Sequence, residues 1–96
     1  SQGRKASSPA VVAHVLLSGE ARPARVGVSA ARGIGGAVQR NRAKRRIREA
    51  VRGLDRSLAA GADVMLVASG RATTTEFQEL VDSVAAALER AGGLVA

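Results

Sequence analysis

The sequence predicts an α+β fold in which helices cover a small β-sheet, with a related α/β sandwich as the alternative. Three short runs rich in apolar and β-branched residues are typical of strands, and two longer segments repeat apolar residues at the helical period. Their order is strand, strand, helix, strand, helix. A chain of 96 residues without an internal repeat predicts one domain, residues 1–96.

The first two strands are predicted at residues 10–17 and 24–30. The first run is apolar and lies between Pro9 and Gly19, and the second alternates Val26 and Val28 with small residues. The connection between them suits an antiparallel hairpin with a longer loop. Residues 1–9 are small, polar and basic without periodicity, so we expect an extended or mobile lead-in, with order beginning at Ala10.

The second half of the chain predicts one buried strand and one helix. Residues 63–68 form a nearly continuous apolar run, which is typical of a buried strand. Thr75 is expected to cap a helix that starts near Glu76 and ends at Gly92 and Gly93. Its apolar stripe, expected to pack on the sheet, is Phe77, Leu80, Val81, Val84, Ala85 and Leu88.

The helix predicted between the second and third strands has two unlike faces. Its apolar stripe is Ala43, Ile47, Ala50, Val51, Leu54 and Leu58. Its basic side carries Asn41, Arg42, Arg45, Arg48, Arg52 and Arg56. Lys44 and Arg46 flank the apolar stripe and are expected to extend outward. Including Arg40, residues 40–52 hold seven of the fifteen Lys and Arg against the single acid Glu49, which indicates a polyanionic partner.

The composition agrees with nucleic-acid binding. A net charge of +7 on 96 residues attracts nucleic acid of any sequence. An acidic membrane surface is the rival, but the apolar face of the basic helix lacks the Trp and Phe typical of interfacial helices.

Several other classes are disfavoured. The chain has no Cys and one His, which excludes disulfides and thiolate metal sites and leaves little for a zinc centre. No apolar run approaches the roughly 20 residues of a membrane span, and no secretory core is present near the start. We therefore expect a soluble, cytoplasmic protein without a membrane partner.

The remaining candidate motifs, which are the glycines before the basic helix, the single His and the acids, are better explained by structural roles than by catalysis. The glycines at 33, 35 and 36 precede a helix but lack the spacing and the later acid of a dinucleotide site. His14 has no second His or Cys as a partner and reads as a structural or cleft-face polar residue. The acids are scattered, which is typical of solvated surface charge. No residue is predicted to be catalytic or to bind a metal.

Two segments of the chain carry recognisable motifs. Residues 25–29 read Arg-Val-Gly-Val-Ser, and residues 35–49 contain Gly-x-Ala-Val, Arg40-Asn41-Arg42 and Lys-Arg-x-x-Arg-Glu. In this order and spacing, the two segments resemble the protein subunit of bacterial ribonuclease P. The similarity extends over residues 3–92. It implies a non-catalytic subunit that binds a large catalytic RNA and the 5′ leader of precursor tRNA. Catalysis would belong to the holoenzyme, an endoribonuclease, with Mg²⁺ held mainly by the RNA.

The resemblance also bears on the fold. A strand–helix–strand crossover is right-handed in about 98% of cases, and the sequence alone predicts that hand. The family instead implies a left-handed crossover. The family usually begins with a helix that walls the leader cleft, and because this chain starts after the matching position, we expect that helix to be absent.

Site residues are assigned by matching position and by helix face. The RNA-binding candidates are Arg40, Asn41, Arg42, Lys44, Arg45, Arg48 and Arg52. Gly35 and Gly36 are expected to form the turn before the helix, and Ala37 and Val38 to seat it. The leader-cleft candidates are His14, Gly27, Ser29 and Arg32, of which the first three share one predicted sheet face. The alternative is a general nucleic-acid-binding or ribosomal module, and an enzyme acting alone ranks third.

Overall fold

The computed structural model describes residues 3–95, which form four strands and two helices. A 3₁₀ turn, Gly70–Thr73, precedes the last helix. The strands are β1 (Arg4–Ser8), β2 (Val11–Leu17), β3 (Arg25–Ala30) and β4 (Ala62–Ala68), and the helices are α1 (Ala37–Arg52) and α2 (Phe77–Arg90). The α+β prediction is confirmed.

The four strands form one sheet in the order β1-β2-β4-β3. β4 pairs with β2 antiparallel and with β3 parallel. The predicted β2–β3 hairpin is therefore wrong, because β4 lies between the two strands. The apolar run of β4 explains its central place, since it fills the core side with Val64 and Leu66 and leaves few polar groups on the other face.

The lead-in predicted before Ala10 is ordered from residue 4 as an edge strand. β1 pairs antiparallel with β2, with Lys5 opposite His14. Its end is fixed to α2, because the Ser8 and Ser83 hydroxyls lie 2.6 Å apart. The polar composition that suggested a mobile segment instead suits a strand with one exposed face and one neighbour. Residues 1 and 2 of the predicted lead-in lie outside the described residues.

Both helices cover the same face of the sheet. Val11, Ala13 and Val15 of β2 alternate with exposed residues, and their register partners in β4 are buried with them. The helices add their apolar stripes to this layer. The largest fully buried side chains are Ile47, Leu66, Leu80, Leu88, Val11 and Val84. The opposite face of the sheet is left uncovered by the helices.

The β3–α1–β4 crossover is left-handed, as the family resemblance implies and against the general preference. The Ala31 N–H donates to the Ala68 carbonyl at 2.9 Å, so odd-numbered residues of β3 direct their backbone groups toward β4. Seen from the Ser29 side, with β3 running upward, L-chirality directs these groups to the right. β4 is thus on the right, and α1 lies behind the sheet beside Val26 and Val28. The chain therefore passes from β3 through α1, behind the sheet, to β4 on the right, and a crossover with this path is left-handed.

The helix ends differ from the predicted ones. α1 ends at Arg52 with Gly53 as its C-cap, so Leu54 and Leu58 reach the core from outside the helix. Glu76, not Thr75, caps α2, because its carboxylate accepts from the Gln78 and Glu79 N–H groups, which lowers the Glu76 pKa. Phe77 is 41% exposed, which contradicts its predicted core position, because it lies at the first residue of α2 where the apolar stripe leaves the core.

Candidate nucleic-acid interface

The outward face of α1 carries cations that other described residues leave unpaired. Ala43, Ile47 and Ala50 face the core, so the helical period turns Asn41, Arg45, Arg48 and Arg52 to solvent. Within residues 3–95, the side chains of Arg45, Arg48 and Arg52 make no hydrogen bond or ion pair. Free guanidinium groups of one sign on one face are suited to binding phosphates.

The other candidates of this helix occupy its flanks. Arg40 and Lys44 are half-buried on the side that faces β3, and the Arg42 Nε donates to the Thr73 carbonyl at 3.3 Å. All seven predicted RNA-binding residues therefore lie on one helix, but only part of the set is freely exposed.

Arg46 belongs to the fold instead of the exposed face. Its Nη1 donates to the Ala72 carbonyl at 2.8 Å and its Nη2 to the Thr75 carbonyl at 2.6 Å. These bonds tie the middle of α1 to the turn before α2. The expectation that Arg46 extends outward is thus wrong, because the carbonyls that bind it come from a later part of the chain.

We expect Arg46→Ala to lower the free energy of unfolding by about 1 to 2 kcal/mol, because two charge-assisted hydrogen bonds to carbonyls are lost. Arg45→Ala, the adjacent control, is expected to change it by less than about 0.5 kcal/mol. Urea unfolding of the two variants measures the difference. Equal stabilities would contradict the role assigned to Arg46.

Glycines shape the start of α1, as the sequence predicts. Gly33 and Gly35 have φ of 90° and 114°, a region that disfavours side chains, and Gly36 is the N-cap. Ala37 and Val38 do not seat the helix, because both are exposed. Ile34 packs against the core in their place.

The uncovered sheet face holds a groove of about 550 Å³. One register row crosses all four strands there, from Lys5 to His14, Met65 and Gly27. The groove floor is apolar, since Met65 and Leu16 are 43% and 41% exposed. Lys5 stands at the β1 rim, on the outer strand.

Sequence reasoning found part of this groove. His14, Gly27 and Ser29 share the predicted face, but the groove lining includes only the first two. Arg32 is exposed beyond the end of β3 and lies outside the lining as well. Met65 was missed. The position of Met65 in the groove can be inferred only when β4 is known to be a central strand beside β3. Gly27 of β3 then leaves room for the Met65 thioether, since a Cβ at Gly27 would lie 2.8 Å from Met65 Cε.

One end of the groove is held by a cluster of opposite charges. Asp63 Oδ1 accepts from Arg25 Nε at 2.9 Å, and its Oδ2 accepts from Arg22 Nη2 at 3.2 Å. The hydrogen bond from Arg25 lowers the Asp63 pKa and raises that of Arg25, so both stay charged. Asp63 together with Glu20 therefore balances Arg22 and Arg25 at this end, whereas Arg4 and Lys5, at the β1 side of the lining, form no ion pair with other described residues.

The described residues contain no group of three or more His, Cys, Asp or Glu placed to hold a metal ion. Several of the acids are engaged elsewhere, as in the pairs of Asp63 with Arg25 and Glu89 with Arg56. Among the helices of residues 3–95, none is both long and apolar enough to span a membrane.

The family model described as Ribonuclease P matches residues 1–92 of this chain. The chain belongs to the ribonuclease P protein family. It is 45% identical over 91 residues to the ribonuclease P protein component of Symbiobacterium thermophilum, covering 95% of this chain and 79% of that protein. The corresponding protein of Gluconacetobacter diazotrophicus is 38% identical over 93 residues, covering 96% of this chain and 80% of that protein.

Solved structures of ribonuclease P proteins share the fold. The Staphylococcus aureus protein superimposes with a TM-score of 0.76 at 25% identity, covering 97% of this chain and 84% of that one. The Thermotoga maritima protein gives 0.74 at 22% identity, covering 93% of this chain and 84% of that one. Membership of the ribonuclease P protein family carries a subunit role in tRNA 5′ processing and an RNA-binding function.

Proposed function

We propose that this chain is the protein subunit of a bacterial ribonuclease P, which binds the catalytic RNA through the exposed face of α1. The observation that carries this proposal is the set of guanidinium groups of Arg45, Arg48 and Arg52, which no other residue of the described part of the chain pairs. Such groups bind phosphates in bidentate geometry and hold an RNA without reading its bases. In this proposal the protein is not itself catalytic.

The 5′ leader of precursor tRNA is the second partner, and the groove on the uncovered sheet face is its site. The groove floor is apolar and contacts base faces, while Lys5 at the rim attracts the phosphates of a single strand. His14 lies between the two as a polar contact. The two RNA surfaces lie on opposite sides of the sheet, because α1 packs on the face that the groove does not use.

Mg²⁺ is placed on the RNA in this proposal. The described carboxylates do not form a cluster with the donors that Mg²⁺ prefers, so the residues present do not fit a metal site on the protein. The protein acts by neutralising phosphates, which lowers the repulsion between the catalytic RNA and the precursor tRNA.

Cleavage of a precursor tRNA by a bacterial ribonuclease P RNA at low Mg²⁺ tests the function. We expect the chain to raise the cleavage rate about ten-fold where the RNA alone is limited by repulsion. Arg45→Ala with Arg48→Ala is expected to remove most of the gain, and Arg71→Ala with Arg90→Ala, which removes two charges from exposed residues outside the groove, to keep it.

Two outcomes would overturn the assignment. One is the absence of stimulation under conditions where the RNA binds the chain. The other is cleavage by the chain without RNA. Equal binding to unrelated RNA of the same length, with no stimulation, would favour the general nucleic-acid-binding module.

A further inference from the structure

Val38, in the first turn of α1, is 80% exposed. It is the most exposed of the large hydrophobic residues in the described part of the chain, where Val95 follows at 48%. An isolated exposed apolar residue needs no special account on an ordinary surface. Its neighbours make this position unusual.

The helical period places Val38 within the basic face. Asn41, Arg42 and Arg45 follow it at three, four and seven residues, so they lie on the same side of α1. Val38 therefore points away from the core, on the same face as Arg45, which lies about 10.5 Å further along the helix axis. A protein partner covering this face would bury the Arg45 guanidinium, which no other described residue pairs, without a counter-charge, whereas a polyanion satisfies it.

The residues just before Val38 have small side chains or none. A Cβ added at Gly33 or at Gly36 would meet no atom within 4 Å, so these residues leave open space at the start of the helix. A ribose-phosphate chain bound to Arg45 can therefore approach the isopropyl group closely. The isopropyl group of Val38 is thus accessible to an RNA strand bound on this face.

We propose that Val38 is an RNA-binding residue, whose isopropyl group packs on a ribose or base face of the catalytic RNA while the neighbouring cations hold its phosphates. This rests on the proposed function and adds an apolar contact to it. The charges and Val38 act differently, because phosphate contacts release counterions and an apolar contact does not. The affinity of the protein for the catalytic RNA should therefore include a contribution from Val38 that does not depend on the salt concentration.

Binding of Val38→Ala to a bacterial ribonuclease P RNA, measured across a series of salt concentrations, tests the proposal. We expect Kd to rise about 4- to 10-fold at every salt concentration, since two carbons are removed from the contact. The slope of log Kd against log salt should stay unchanged. Ala favours a helix more than Val does, so loss of folding does not explain a weaker complex.

Val95→Ala is the matched control, because it makes the same change at another exposed Val outside α1 and should leave Kd unchanged. The variant with both Arg45→Ala and Arg48→Ala distinguishes failure of the Val38 contact from failure of the whole α1 interface. If the arginine variant weakens binding and Val38→Ala does not, the contact at Val38 is refuted while the proposed function stands. If neither changes binding, the α1 interface itself fails.

Discussion

Replacing Arg45, Arg48 and Arg52 together with Ala is expected to weaken binding to a bacterial ribonuclease P RNA by about 100- to 1,000-fold at about 0.1 M salt. Each residue is exposed and unpaired within the described chain, so each can neutralise one phosphate. Removing three such contacts should lower the magnitude of the salt slope by about 2 to 2.7. Titrations at several salt concentrations measure both quantities.

A triple Lys variant at the same positions is the control for charge. It keeps three cations and should retain most of the salt slope, while losing the bidentate geometry of Arg. Unfolding should be unaffected in both variants, because none of the three side chains bonds to the described fold. A triple Ala variant with the wild-type slope and affinity would rule out the α1 face as the RNA-binding surface.

The basic helix was predictable because its signal is local. The spacing of Ala43, Ile47 and Ala50 depends only on the helical period, and the glycines before it mark the turn. The apolar run of β4 likewise predicts a buried strand from its own residues. These elements are therefore found where the sequence predicts them, apart from shifts at their ends.

Strand pairing was not predictable from the same local signals. β1 is a short basic segment whose strand character comes from pairing with β2, and β4 enters between β2 and β3 only after α1 has crossed the sheet. The seven-residue connection after β2 gave no sign of this insertion. The left-handed crossover came from the family resemblance, since the general preference predicts the opposite hand.

The roles of individual side chains depended on distant partners as well. Arg45 and Arg46 are adjacent and alike in sequence, yet only Arg46 meets carbonyls, 26 and 29 residues later in the chain. Met65 enters the groove because Gly27, on a neighbouring strand, lacks a side chain. Such assignments require the tertiary fold.

Lys5→Glu is expected to reduce the preference of the complex for precursor tRNA over mature tRNA by roughly 10- to 30-fold. Lys5 lines the groove at its β1 rim, and Asp63 and Glu20 already balance Arg22 and Arg25 at the other end. A Glu at this position removes one attraction for the leader and adds a repulsion. The measurement compares the Kd of the protein–RNA complex for a precursor and for the mature tRNA.

Arg71→Glu makes the same change of net charge at an exposed residue of the 3₁₀ turn, outside the groove, and should leave the preference unchanged. Mature tRNA has no leader, so its affinity should respond little to Lys5→Glu. An equal loss of affinity for both tRNAs would show that Lys5 acts through general charge. An unchanged preference would remove the groove as the leader site, whereas a selective loss for the precursor follows from a leader strand lying over the row that begins at Lys5 and His14.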